Sequence, residues 1–199
     1  MPQSVWKRKF PSGYGLEKAL AATRSSGQPE PIESPPSEVS DLLDADVGGN
    51  GFTLASWTAS DAWELGHLLH ARLSSWGSSR PALISISLAS GLVLFQSATG
   101  SGLTPDNGVW VARKRKTVLR FGVSSWLVGR KFGGDEGAFA AKYGLSPDQA
   151  SEYAIHGGGV PIRVAGVEGV VAVVVVSGLK QNEDHGVISE VIRKNWTTE

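Results

Sequence analysis

Three stretches of this chain carry residues able to do chemistry. In the first, Tyr153, Ala154, Ile155 and His156 run directly into Gly157, Gly158 and Gly159, so a phenol and an imidazole border backbone that bears no side chains. Successive N–H groups in such a run can form an anion-binding concavity, and an imidazole beside it is a candidate general acid or base. The second is WVARKRKTVLRF, residues 110–121, where Arg113, Lys116 and Arg120 recur at helical spacings of three and four. Three cations then share one face, with Trp110, Lys114, Thr117 and Phe121 on another. Such a triad suits an anionic partner, or else it is a solvated basic face. In the third, Asp184 stands beside His185, and a carboxylate in that position can set an imidazole's tautomer. The plain alternative stays open for both histidines: His156 bonds its own turn and His185 decorates a helix start.

A fourth pair, His67 and His70, stands three apart, which can bring two imidazoles to one metal ion. Two ligands do not make a site, and this segment offers no third at a helpful offset. No metal is therefore expected.

These residues need elements to position them. From Thr58 to Gly77 the apolar residues Ala62, Leu65, Leu69, Leu73 and Trp76 follow a helical stripe, with Ser60 as candidate N-cap. Ile84, Ile86 and Leu88 alternate with Ser85 and Ser87, and after Ser90-Gly91 the alternation resumes at Val93 and Phe95, the signature of a half-buried β-hairpin. Thr104 or Asp106, with Pro105, opens the basic helix. Ser124-Ser125 opens a short helix whose exit, GGDEGAF, reads as a loop. Ser146 and Pro147 begin a further helix that must stop at the three glycines, after which Pro161 confines the following strand to an edge or to its own first residues. The valine run 170–176 predicts a strand buried on both faces, ended by Ser177-Gly178. Asn182 or Asp184 caps a last helix that buries Ile188, Val191 and Ile192. The order of helix, hairpin, helices, hairpin and helix implies an antiparallel sheet with helices packed on it.

Composition bounds the setting. With 199 residues, 41% of them apolar, the chain can build one sizeable core. Residues 25–38 hold four prolines and little to bury, so residues 1–50 are expected as a disordered N-terminal arm and linker, with the folded domain spanning 51–199. Lys plus Arg and Asp plus Glu both number 19, which leaves no global field to attract nucleic acid or anionic lipid. The absence of cysteine excludes disulfides and thiolate chemistry and suits the cytoplasm. No apolar run nears the roughly 20 residues of a membrane span, and no secretory signal is expected at the N-terminus.

Three separated blocks carry a resemblance. Trp110-x-x-Arg113-Lys114-x-Lys116-Thr117-x-x-Arg120-Phe121-Gly122-x-Ser124-Ser125, then Tyr153-Ala154-x-His156-Gly157-Gly158-x-x-Pro161-Ile162, then Val176-Ser177-Gly178-Leu179 ahead of Asp184-His185, together resemble the haem-degrading-like (GlcG/HbpS-type) domain family, in particular its small stand-alone members from bacteria and fungi. The resemblance covers about residues 55–195. It implies a profilin-like α/β (α+β) domain, a five-stranded antiparallel sheet flanked by helices, assembled as a homo-oligomer. It also implies haem or a small anionic metabolite as candidate ligand, since relatives bind or degrade haem or stand beside glycolate and cobalamin metabolism.

A haem would need an axial ligand, for which Tyr153, His156 and His185 are the candidates, and cations for its propionates, for which Arg113, Lys116 and Arg120 are. A smaller anion would use the N–H groups of Gly157 and Gly158, with Ser177, Asp184 and His185 opposite. The competing reading is a non-enzymatic oligomeric scaffold with protein partners, in which Arg113, Lys114 and Arg120 brace subunits or pair with acids such as Asp184. Nucleic-acid binding ranks below both, because no aromatic residues interleave the cations in a readout pattern.

Overall fold

The valine run is the axis about which the chain folds. The computed structural model describes residues 4–25, 27–44 and 47–198. In chain order these form β1 (Val5–Arg8), α1 (Tyr14–Thr23), α2 (Val39–Asp44), β2 (Phe52–Leu54), α3 (Ala59–Leu73), β3 (Leu83–Leu88), β4 (Val93–Ala98) and α4 (Pro105–Phe121). There follow α5 (Ser125–Lys131), α6 (Glu136–Lys142), α7 (Pro147–Ser151), β5 (Gly159–Val164), β6 (Ala172–Ser177), α8 (Gln181–Asn195) and β7 (Trp196–Thr198). The strands join one sheet in the order β4-β3-β6-β5-β2-β1-β7.

Every residue of β6 is buried, and alternation along the strand explains why an unbroken valine run is needed. Val174 and Val176 enter the larger core with Leu65, Leu69, Ile84, Ile86, Ile188 and Ile192, beneath α3 and α8. Val173 and Val175 point the other way and pack with Val118 of α4. A strand covered on both faces needs apolar side chains at odd and even positions alike. The same two-sided cover changes the reading of β3: Ser85 and Ser87 are buried rather than solvated, and Ser87 accepts from Arg115 Nε at 2.9 Å.

The class expected from the sequence holds, a sheet flanked by helices, with two differences of detail. Seven strands rather than five are present among the described residues, and the sheet is mixed, because β1 pairs with β2 and β2 with β5 in parallel. Strands as short as β2 and β7, three residues each, are too brief for a period-two pattern to show.

The segment expected as a disordered arm also differs. Its residues 1–3, 26 and 45–46 lie outside the described residues, but β1 joins the sheet, and α1 is docked by Glu64, which accepts the N–H groups of Gly13 and Gly15. Trp6 packs edge-on against Phe52, and Phe10 against Trp196. The proline-rich stretch lies across the domain because its carbonyls are gripped from outside: Arg72 donates to Glu30 O and Pro31 O, Trp126 to Pro36 O and Arg130 to Ser37 O. A segment held by its backbone carbonyls leaves no hydrophobic pattern to read. Among the described residues no helix is long and apolar enough to cross a membrane.

Candidate functional site

The three blocks meet at one end of β6. Thr104 opens α4, with Pro105 in its first turn, and sends Trp110 and Lys114 toward the sheet. Thr117, fully buried on that same side, donates to Ala154 O at 2.8 Å and accepts from Ala154 N at 3.1 Å. This clamp holds the Tyr153–His156 segment against α4. Beyond it Gly157 and Gly158 pass so close to their neighbours that a Cβ would fall 2.1 Å from Gln181 O at the first and 2.3 Å from Val176 O at the second. Gly158 also has φ +112, a conformation L side chains rarely adopt.

The result is a cavity of about 340 Å³ lined by Asn107, Trp110, Lys114, His156, Ser177, Gly178, Leu179, Gln181 and Asp184. In its wall lies a buried ion pair. Lys114 Nζ stands 2.9 Å from Asp184 Oδ2 and donates to Val176 O at 3.1 Å, while Asp184 Oδ1 accepts from Leu179 N at 3.0 Å. Burial pushes the Asp184 carboxyl upward, opposed by the Lys114 ammonium and the bonded N–H groups. An ammonium has three donors, and among the described residues two are engaged, which leaves one.

Two amides at the rim have their orientation set by backbone. Asn107 Oδ1 accepts from Thr104 N at 2.9 Å, and Gln181 Oε1 from Gly157 N at 3.4 Å. Each oxygen being used, each NH2 is left as a donor. His156 lies edge-on to Trp110 with ring centroids 5.1 Å apart, and its Nδ1 is 3.5 Å from Glu136 Oε1. Burial lowers its pKa, Glu136 raises it, and Lys114 and Arg113 lower it, with a net downward direction. A carboxylate near Nδ1 favours the proton there and leaves Nε2 as acceptor.

The other residues singled out from the sequence have different surroundings. Arg113 donates to Tyr153 O at 2.9 Å, stacks on Trp110 and lies 3.7 Å from Glu136, just outside the cavity. Lys116 pairs with Glu152 over the Tyr153 ring. Arg120 sits over Tyr153 at 5.0 Å and Tyr143 at 5.6 Å. The three cations therefore grip the α6–α7 side of α4 and do not converge on the cavity, and Tyr153 is enclosed among them. His185 is fully buried in the core: Nε2–H donates to Val47 O at 2.6 Å, and Nδ1 has no hydrogen-bond partner among the described residues. Asp184 and His185, neighbours in sequence, thus face different surroundings.

Sequence reasoning placed Lys114 among the apolar residues of α4 and passed over Asn107, Trp110 and Gln181 as site residues. The signal for Lys114 was its position: a single cation on a stripe with Trp110, Thr117 and Phe121 goes into the protein and needs a partner. The histidine pair on α3 is held separately, His67 Nδ1 at 2.9 Å from Trp63 O and His70 Nδ1 at 2.9 Å from Ser97 Oγ. Among the described residues no three metal-ligating side chains come together.

His185 carries a pH prediction. Burial lowers its pKa to about 4 from an ordinary 6.5, the Val47 bond raising it in part. The unfolded chain then takes the proton first, so stability is complete above pH 6.5 and is lost as pH falls toward 4, by about 3 kcal/mol from this group. Urea unfolding from pH 7.5 to 4 should show that decline, and His185→Gln should flatten it. An unchanged slope in the variant would remove His185 as its source.

Comparison with known proteins follows the same blocks. The model of the family described as "Haem degrading protein HbpS-like" matches residues 57–193. A UPF0303 protein of Streptomyces avermitilis is 41% identical over 145 residues, 73% of this chain and 84% of that protein. The UPF0303 protein YBR137W of Saccharomyces cerevisiae is 38% identical over 135 residues, 66% of this chain and 71% of that one. The crystal structure of Ybr137w aligns with a TM-score of 0.67 at 35% identity, covering 78% of this chain and 86% of that chain. A Streptomyces reticuli HbpS double mutant aligns with a TM-score of 0.51 at 16% identity, covering 69% and 85%, a likeness of fold.

Proposed function

The chain belongs to the HbpS-like haem-degrading family, among its UPF0303 proteins, and from that premise we propose that it binds a small carboxylate-bearing metabolite in the cavity over Lys114. The observation that carries this reading is the donor balance of the wall. Asn107 and Gln181 have their oxygens bonded to backbone N–H groups, Lys114 keeps one N–H beyond its two partners, and the Asp184 charge is already met by Lys114. A wall of spare donors suits a ligand rich in acceptors. Its volume of about 340 Å³ is at the small end of ligand pockets, which run from roughly 300 to 1,000 Å³.

Haem fits these residues poorly. Of the three candidate axial ligands only His156 lines the cavity, since His185 is bonded in the core and Tyr153 is covered by Lys116 and Arg120. The cations that would meet propionates are engaged elsewhere, Arg113 with Tyr153 O and Glu136 beside the cavity, Lys116 with Glu152, and Arg120 over Tyr153 and Tyr143.

The test exchanges donors for acceptors without touching the fold. Asn107→Asp keeps an oxygen for Thr104 N, and Gln181→Glu keeps one for Gly157 N, yet each replaces an NH2 by a charged acceptor. Titration with propionate, followed by amide chemical shifts, is expected to saturate in the wild type and to weaken at least about tenfold in either variant, as loss of a charge-assisted bond requires. Equal affinity in all three would refute the donor argument, and so would no saturation in the wild type.

A second reading, assembly into homo-oligomers, has its own observation. Strand β4 is an edge of the sheet, carries no charge, begins at exposed Val93, and is flanked by exposed Leu92, Trp63, Leu16 and Leu20. Edge strands are ordinarily guarded by charge or proline, and an uncharged one can meet its own copy across a two-fold axis without repulsion. Val93→Lys is expected to lower the sedimentation-derived mass to that of a monomer; an unchanged mass rules out assembly through β4.

A further inference from the structure

Lys114 and Asp184 form an arrangement that binding alone leaves unused. Lys114 is 3% exposed and borders the cavity, and its ammonium has a carboxylate 2.9 Å away as a proton acceptor. Gly158 lies against Nζ closely enough that a Cβ would stand 2.7 Å from it, so the amine is cradled by bare backbone. An amine at a cavity wall, with a carboxylate in contact to take and return its proton, has the parts that imine-forming lysines use.

Resting on the carboxylate reading, we propose that Lys114 forms a reversible imine with the carbonyl carbon of a small oxo acid held in the cavity. The proton moves from Nζ to Asp184 Oδ2, and the freed nitrogen lone pair attacks the carbonyl carbon, forming the C–N bond and leaving negative charge on oxygen. Asp184 returns the proton to that oxygen, giving a carbinolamine, and removes one from nitrogen. It then protonates the hydroxyl, the C–O bond breaks, and water departs. Ammonium plus carbonyl has become iminium plus water, and the Asp184 carboxylate again faces a cation, so no buried charge is left unpaired at either end. No oxidant or reductant enters. Burial, which pushes the Asp184 carboxyl upward, favours the protonated form that the middle steps require.

The experiment incubates the full chain with pyruvate and sodium cyanoborohydride and maps the modified lysines by mass spectrometry. Lys114 is expected to acquire a carboxyethyl group ahead of exposed lysines such as Lys18, with propionate slowing it by occupying the same seat. Asp184→Asn should slow capture at Lys114 by at least about 100-fold while leaving Lys18 unchanged, the usual scale of a lost proton-transfer group. Should that variant fail to fold, the wild-type map decides by itself. Lys114 modified no faster than Lys18 overturns the imine; if propionate still binds, the carboxylate reading survives, and if it does not, both fall. Capture at Lys114 that propionate cannot slow supports the imine and counts against the carboxylate seat.

Discussion

Gly158→Ala is expected to unfold at markedly lower denaturant and to lose the cavity. Two independent effects combine at this position. The backbone angle, φ +112, is one that an alanine holds only under strain. The added methyl would also stand 2.3 Å from Val176 O, 2.7 Å from Lys114 Nζ and 2.8 Å from Asp184 Cβ, none of which can yield freely. Val176 O belongs to the central strand and accepts from Lys114, so moving it disturbs sheet and ion pair together. The cost should be about 3–5 kcal/mol, seen in urea unfolding as a lower midpoint and in calorimetry as a fall in Tm on the order of 10 °C. Gly144→Ala separates the two effects: φ is +61 there and no neighbour among the described residues stands within 4 Å, so only backbone strain of about 1 kcal/mol should appear. Similar losses at the two glycines would mean that close packing at Gly158 contributes nothing.

That contrast bears on how much of the molecule its sequence discloses. Local chemistry was readable wherever a residue's role is settled within a turn of chain. Thr104 with Pro105, Ser124, and Ser146 with Pro147 start helices as their types require, and residues 172–176 of the valine run form a strand buried on both faces, while Val170 and Val171 precede it half-buried. The reading failed where a distant partner decides. Residues 133–139, whose glycines read as a loop, contain the start of α6, because Asp135 caps it and Phe139 buries itself among Phe121, Phe132, Tyr143 and Tyr153. Helix α3 is capped by Thr58 through Asp61 rather than by Ser60, and α8 begins at Gln181, ahead of Asn182 and Asp184.

At the site the same division applies. That one face of α4 holds three cations follows from spacing; which face turns to the sheet follows from Thr117 bonding Ala154 and from the apolar company of Val118. The face carrying Lys114 went inward and the Arg120 face outward, so the cavity is built on the cation that spacing set apart from the triad. The glycines betrayed a tight passage but not its neighbours, which come from β6 and α8.

The buried pair gives the second large effect. Among the described residues, Lys114→Met leaves the Asp184 carboxylate, 2% exposed, with only the Leu179 and Gly178 N–H groups to meet its charge, and Asp184→Leu leaves the ammonium with Val176 O. Removing one member of such a pair costs about 3–5 kcal/mol, most of it from the charge left behind. The double variant Lys114→Met with Asp184→Leu removes both charges and refills the space with apolar atoms beside Val118 and the valines of β6, an exchange that is often neutral for stability. We expect it to lie closer to the wild type than either single variant, a coupling of several kcal/mol in a double-mutant cycle by urea unfolding. Single costs that simply add would show that the two groups do not act as a pair. A stable double variant that no longer takes up propionate would separate the two uses of these residues: the sheet and helices do not need the charges, and what needs them is the cavity they border.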